Sequence, residues 1–220
     1  MNFEEKWKLY LDNLQGNPSI CFIPKMDESR KNFIKDSLPV NDFKNLLDIG
    51  CANGQEAFEL QQLGYNVTGI TRGNVNIDFS KINFPLLNIL NTDMHNLNFK
   101  KESFDAIYMC HVFEHTFAPF IFLLEANYIL KDKGRLLIIT PSFINGTKDV
   151  TMISHHHPTL LYKEQYIAMF KATGFNIFKL DDSDKGGTKI FLLEKNNDNL
   201  HSDIKGLLNI KELHDFNRKF

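Results

Sequence analysis

The sequence predicts an α/β fold of the doubly wound kind, a mostly parallel seven-stranded sheet covered by helices and ending in an antiparallel strand. Three observations predict it. Apolar, strand-like runs alternate with helix-like segments along most of the 220 residues, which favours parallel strands joined by crossover helices. The run from residue 104 to 110 reads as buried on both faces, as a strand under two helical layers must be. A glycine turn, Gly50-Cys51-Ala52-Asn53-Gly54, follows the first strand and opens a helix.

Taken in order, Leu46, Leu47 and Ile49 supply the first strand, with Asp48 inside it. Gly50 and Gly54 let the backbone turn tightly and approach a ligand without Cβ interference. Residues 55–60 continue as a helix whose first amide N–H groups point above the turn. Residues 66–70 form a second strand, 74–81 a short helix, and 85–90 a third strand ending at Asp93. The fourth strand, 104–110, precedes an apolar helix over 117–130, closed by Lys131-Asp132-Lys133-Gly134. Residues 135–140 are the fifth strand, stopped by Pro141. A long loop leads to a helix over 163–173, capped by Gly174. Strands over 175–180 and 188–193, joined by the turn Asp184-Lys185-Gly186-Gly187, complete the sheet.

Outside this core, Phe3, Trp7, Tyr10, Leu11 and Leu14 recur at helical spacing and form one apolar stripe. The expected division is a helical lid or extension over 1–42, the α/β domain over 43–195 and a polar tail over 196–220, with a helix around 204–216. The tail has no functional reading. An apolar content of 43% suffices for one sizeable core. The longest apolar run, 117–124, is broken by Pro119 and is too short for a membrane span. No basic-then-apolar leader opens the chain. Cys21, Cys51 and Cys110 show no paired spacing, so a reducing cytoplasm is expected. A formal charge of −2 and a pI near 6.4 give no electrostatic footprint for nucleic acid. The basic clusters at 25–35 and 100–101 read as solvated surface.

The turn discriminates between cofactors. A dinucleotide fingerprint needs G-x-G-x-x-G/A and an acid about 20 residues later. Here the pattern is G-x-A-x-G, and Thr71 stands where the acid would fall. With Asp48 included, the segment instead resembles the S-adenosylmethionine-binding signature of class I methyltransferases. The resemblance spans 43–194. Thr92-Asp93-Met94-His95 resembles that family's third-strand end, and Phe104-Asp105-Ala106-Ile107-Tyr108 its fourth-strand motif. Val112-Phe113-Glu114-His115 is similar to its "VLEH" element, and residues 130–136 to "LKPGG-x-L". The chain is identified as a member of this family, near its type 11 and type 23 groups.

That resemblance implies a Rossmann-like fold and a cofactor held by Asp48, Gly50, Cys51, Ala52, Gly54, Thr71, Asp93, Met94 and His111. It implies that Asp48 orients the amino-acid end of S-adenosylmethionine and that Asp93 accepts the adenine amino group. The family usually ends its second strand with a carboxylate that takes both ribose hydroxyls. This chain has Gly69-Ile70-Thr71, and Thr71 offers one hydroxyl. Asn74 or Asn76 is placed to add contacts, and a subset of methyltransferases carries the same "GIT".

The histidines carry the chemistry. His111 and His115 flank Glu114 after the fourth strand, and His155, His156 and His157 lie in the loop after the fifth. In this architecture both loops meet over the ligand crevice. Two readings stand open. In one, His115, His155 or His157 is a general base that takes a proton from an acceptor hydroxyl. In the other, His111, Glu114, His115 and His156 ligate a divalent metal, the segment being helical so that its spacings of three and four share a face. This arrangement resembles the E-x-x-E-H element of metal-dependent O-methyltransferases, with His111 replacing the first glutamate and favouring softer ions. The expected function is S-adenosylmethionine-dependent O-methylation of a small molecule or carbohydrate hydroxyl. The alternative is a cofactor-binding or scaffold protein of the same fold without efficient catalysis. Oligomeric state is not legible.

Overall fold

The computed structural model describes residues 24–141, 158–159, 161–181 and 188–200. Seven strands form one sheet: β1 (Asn45–Ile49), β2 (Asn66–Thr71), β3 (Asn88–Asn91), β4 (Phe104–Cys110), β5 (Leu130–Pro141), β6 (Phe175–Asp181) and β7 (Thr188–Lys195). Their spatial order is β3-β2-β1-β4-β5-β7-β6. β1 pairs in parallel with β2 and β4, and β4 with β5. β7 runs antiparallel to both β5 and β6, so it alone opposes the others. The doubly wound, mostly parallel sheet expected from the sequence is therefore present, and its last strand in the chain is the antiparallel one.

The central strands are buried on both sides, and successive residues face opposite layers. Leu46 packs with Ala57, Leu60, Tyr108 and Leu137 on one side. Its neighbour Leu47 packs with Phe113, Phe122, Tyr166 and Phe191 on the other. From β1 the chain winds outward to β2 and β3, then returns to place β4 on β1's other edge. That reversal opens a crevice at the carboxyl ends of β1 and β4.

Among the described residues five α-helices connect and cover the strands: α1 (Glu28–Ser37), α2 (Gln55–Gln62), α3 (Asn74–Asn83), α4 (Pro119–Ile129) and α5 (Lys163–Ala172). Local chemistry sets their ends. Asp27 caps α1 by accepting from the backbone N of Arg30 at 2.7 Å. α4 begins two residues later than expected because Pro119 occupies its first turn, where a missing N–H costs nothing.

Three expectations are corrected here. β3 covers only Asn88–Asn91, because Pro85 and Leu86 sit in a turn and Leu86 is exposed rather than buried. β5 begins at Leu130, directly after α4, and residues 131–134 bulge between the pairs Phe104↔Leu130 and Ala106↔Arg135. The basic stretch 25–35 is not a merely solvated face. It holds the first part of α1, whose Arg30 and Lys31 pair with Glu56 and Glu59 of α2. The N-terminal stripe, the 184–187 turn and the 204–216 segment lie outside the described residues, and the 1–42 lid and 196–220 tail remain proposals.

Candidate active site

The turn after β1 shapes the crevice floor. Gly50 has φ +77, and a Cβ there would lie 2.4 Å from Val112 Cγ2. Gly54 has φ +86 at the start of α2, where a Cβ would meet Ser80 Oγ at 2.6 Å. Both positions therefore demand glycine by conformation and by space. Ala52 also has positive φ, at 46°. The backbone N of Gly50 and of Cys51 donates to Ile70 O, at 2.9 and 3.0 Å, which ties the turn to β2.

Two cavities open beside this turn and share Gly50, Cys110 and His111 as walls. The larger, about 440 Å³, is lined by Ala52, Thr71, Met94, Val112 and His115, together with Arg72 and Asn76. The smaller, about 250 Å³, is lined by Asp48, Cys51, Glu56 and Arg30. Of the nine residues expected at the cofactor, seven line one cavity or the other. Gly54 and Asp93 do not. Thr92 and Met94 face the larger cavity, whereas Asp93 between them accepts from His95 N at 2.8 Å and lies 3.4 Å from Arg72 Nε. Burial alone would raise its carboxyl, but the hydrogen bonds from His95 outweigh that, and Asp93 is held below the usual carboxylate range. Asn74, one candidate for ribose contacts, instead accepts from Asn91 at 2.9 Å.

The smaller cavity holds two buried acids, Asp48 and Glu56. Asp48 is 2% exposed, and its Oδ2 has no hydrogen-bond partner. Burial pushes its carboxyl well above the usual range, and nearby Glu56 adds to the shift. Glu56 is itself raised by burial, though Arg30 and Tyr108 oppose this. Arg30 Nη1 lies 2.5 Å from Glu56 Oε1, and Tyr108 Oη donates to Glu56 Oε2 at 2.9 Å. Glu56 is thus paired while Asp48 is left with an open acceptor. Such an acceptor suits a cationic ligand group. Cys51 and Cys110 are free thiols, and burial pushes Cys110 up to about 12.

At the far rim stands the His-Glu-His cluster. His111 adopts φ +53, tolerable for histidine, and its backbone N donates to Ile139 O at 2.8 Å. A single 3₁₀ turn, Phe113–His115, follows. The α-helical face expected of this segment is absent, because the chain never enters an α-helix here. Glu114 is buried, with Oε2 accepting from Thr140 Oγ1 at 3.2 Å. His111 Nδ1 and His115 Nε2 approach its other oxygen, at 3.8 and 4.0 Å. The two rings thus face one carboxylate oxygen. Among the described residues no three His, Cys, Asp or Glu side chains are grouped to hold a metal ion. Of the expected metal set His111, Glu114, His115 and His156, the last lies outside the described residues with His155 and His157, so the set as a whole stays a proposal.

Arg30, Glu56 and Arg72 line the cavities without having been expected there, as does Val112 of the Val112-Phe113-Glu114-His115 element. Asp27 before Glu28, a capped helix start, was the available signal for α1 and hence for Arg30.

A crevice at the reversal point of a parallel sheet, floored by a glycine turn, is where doubly wound folds hold their ligands. Residues 47–138 match the methyltransferase domain family. That stretch is similar to the methyltransferase domain, and the match covers less than half of the chain. A ubiquinone biosynthesis O-methyltransferase of Bartonella tribocorum (strain CIP 105476 / IBS 506) is 31% identical over 114 residues, 49% of this chain and 46% of the relative. The chain spans about half the length of the curated relatives it matches. Among solved structures, the cyclase SpnF superposes with a TM-score of 0.66 at 15% identity, covering 87% of this chain and 94% of that one. Geranyl diphosphate C-methyltransferase from Streptomyces coelicolor A3(2), solved with Mg²⁺, geranyl diphosphate and S-adenosyl-L-homocysteine, gives 0.64 at 16% identity over 76% of this chain and 78% of that one. At such identities these neighbours speak for the fold. Among the described residues no helix is long and apolar enough to cross a membrane.

Proposed function

We propose that the protein is an S-adenosylmethionine-dependent methyltransferase acting on an oxygen of a small-molecule or sugar hydroxyl. One observation carries this reading: the paired cavities place an unpartnered buried carboxylate, Asp48, in one lobe and His115 at the rim of the other. The relatives named as O-methyltransferases support oxygen as the acceptor atom. When bound, S-adenosylmethionine supplies a methyl carbon on a positively charged sulfur; the acceptor oxygen bonds to that carbon as the carbon–sulfur bond breaks, leaving S-adenosylhomocysteine. Asp48 holds the cofactor's ammonium, Thr71 and Asn76 meet the ribose, and Thr92 and Met94 flank the adenine. His115 takes the acceptor's hydroxyl proton, and Glu114 holds the resulting imidazolium. Gly50 keeps the floor low enough for in-line approach.

A second reading, cofactor binding without turnover, draws on Thr71, which offers the ribose one hydroxyl in place of two carboxylate oxygens. Formation of S-adenosylhomocysteine with a panel of hydroxylated acceptors separates the two. The cofactor site is tested by calorimetric titration of S-adenosylmethionine into wild type and Asp48→Asn, with metal content read on the same samples. Affinity is expected to fall by about tenfold or more in the variant, the scale of a charge-assisted hydrogen bond. The ligand-free variant is expected to be the more stable protein at pH 7. A buried acid with a raised pKa contributes stability below its unfolded value of about 3.9 and loses it as pH rises through the folded value. Thermal melts from pH 4 to 8 should show this decline in wild type and a flatter profile in Asp48→Asn. Equal affinity in the two proteins would remove Asp48 from the cofactor site.

A further inference from the structure

One imidazole joins the loop after β3 to the loop after β4. His95 Nδ1 lies 2.7 Å from Asp93 Oδ1, and Nε2 lies 2.8 Å from Thr116 Oγ1. The ring stacks on Phe117 with centroids 3.9 Å apart. An ionised Asp93 can only accept, so Nδ1 carries the hydrogen and, in the neutral ring, Nε2 accepts from the Thr116 hydroxyl. Each contact thereby fixes the other.

The two ends of this bridge belong to different parts of the crevice. At one end, Thr92 and Met94, on either side of Asp93, line the larger cavity, and Arg72 beside Asp93 Oδ2 lines it too. At the other end, Thr116 is fully buried, its backbone N donates to Phe113 O at 3.1 Å, and its carbonyl accepts from Thr159 Oγ1. Thr159 N in turn donates to Glu114 O at 3.1 Å. The far end is therefore the turn that presents Glu114 and His115. His95, Thr116 and Thr159 line neither cavity.

We propose that His95 is a positioning residue that transmits occupancy of the cofactor cavity to the Phe113–His115 turn, setting His115 when the cofactor is seated. The inference rests on reading that cavity as the cofactor's. Ligand contacts at Thr92 and Met94 hold Asp93 in place, Asp93 fixes the imidazole, and the imidazole holds Thr116 and the turn. A buried polar chain of this kind is costly to leave half-made, so its two ends are ordered together. Such coupling is reciprocal between the sites it joins.

Amide hydrogen exchange of the full chain, with and without S-adenosylhomocysteine, tests the proposal without an acceptor. In wild type the ligand is expected to slow exchange at the amides of His115, Thr116 and Thr159 by about tenfold, within the usual range of coupling between sites. In Thr116→Val, ligand affinity is expected to stay within about threefold of wild type, as coupling losses at a residue outside the cavity can be small, while the slowing disappears. Thr116→Ser keeps the hydroxyl and should keep the slowing. Should Thr116→Val fail to fold, His95→Gln serves instead, since its carboxamide reaches Thr116 but gives up Asp93. Slowing that persists undiminished in the variant would mean direct ligand contact and overturn the proposal. Absence of slowing in wild type with ligand bound would make His95 a static pin and overturn it equally. No ligand binding to wild type would instead defeat the cofactor reading, and this inference with it.

Discussion

Gly50→Ala is expected to destabilise the domain by about 2–4 kcal/mol, combining backbone strain at positive φ with overpacking of a filled space. The new methyl would sit 2.4 Å from Val112 Cγ2 and 2.9 Å from Val112 Cγ1. Val112 itself packs against the core that contains Phe113 and Phe122, so it has little room to withdraw. Cofactor binding should be lost as well, because Gly50 walls both cavities. Urea unfolding at constant m-value reads the first effect and calorimetry the second. The double variant Gly50→Ala/Val112→Ala divides the cost: it should recover the packing share and retain the backbone share. An unchanged unfolding midpoint in Gly50→Ala would show that the turn is not held as described.

His115→Ala is expected to lower turnover by about 10²–10⁴-fold, the range typical of losing a general base. Affinity for S-adenosylmethionine should change by no more than a few-fold, since His115 stands at the rim while Asp48 lies in the other lobe. Glu114→Gln should act in the same direction with a smaller loss of about tenfold. It keeps the shape and the contact to Thr140 but removes the charge that both imidazoles face. The measurement is S-adenosylhomocysteine release with whichever hydroxylated acceptor supports wild-type turnover, set against the binding constant for the same variants. Turnover surviving intact in His115→Ala would move the base to another residue, with His155 and His157 next in line.

The sheet was legible in the sequence because buried parallel strands must be apolar on both faces and their connections must be punctuated. Leu46, Leu47 and Ile49, then Gly50 and Gly54, satisfy both conditions within nine residues. Legibility failed where a contact spans distance in the chain. α1 is a polar helix anchored by Arg30 to Glu56, 26 residues away, and nothing local advertises that partner. The bridge from His95 to Thr116 crosses 21 residues, and no spacing rule connects the two positions. A helix is expected from His111 to His115, where the chain instead makes a left-handed residue and a 3₁₀ turn. β3 is shorter than the apolar run 85–90 suggests, because Pro85 and Leu86 turn before the strand begins and Leu86 is exposed.

The strand order has a consequence for how the chain is made. β5 pairs with β7 from Arg135↔Glu194 to Pro141↔Thr188, while β6, synthesised earlier, has β7 as its one strand partner. During translation the first five strands can assemble as they emerge, but the open edge of β5 finds no partner until residues 188–195 have left the ribosome. Until then β6 has no strand to join, and an apolar row of unpaired backbone groups from Leu136 to Ile139 faces outward, the kind of edge on which nascent chains aggregate. The antiparallel strand is thus the last to complete the sheet: it seals β5 and pairs with β6 in one event.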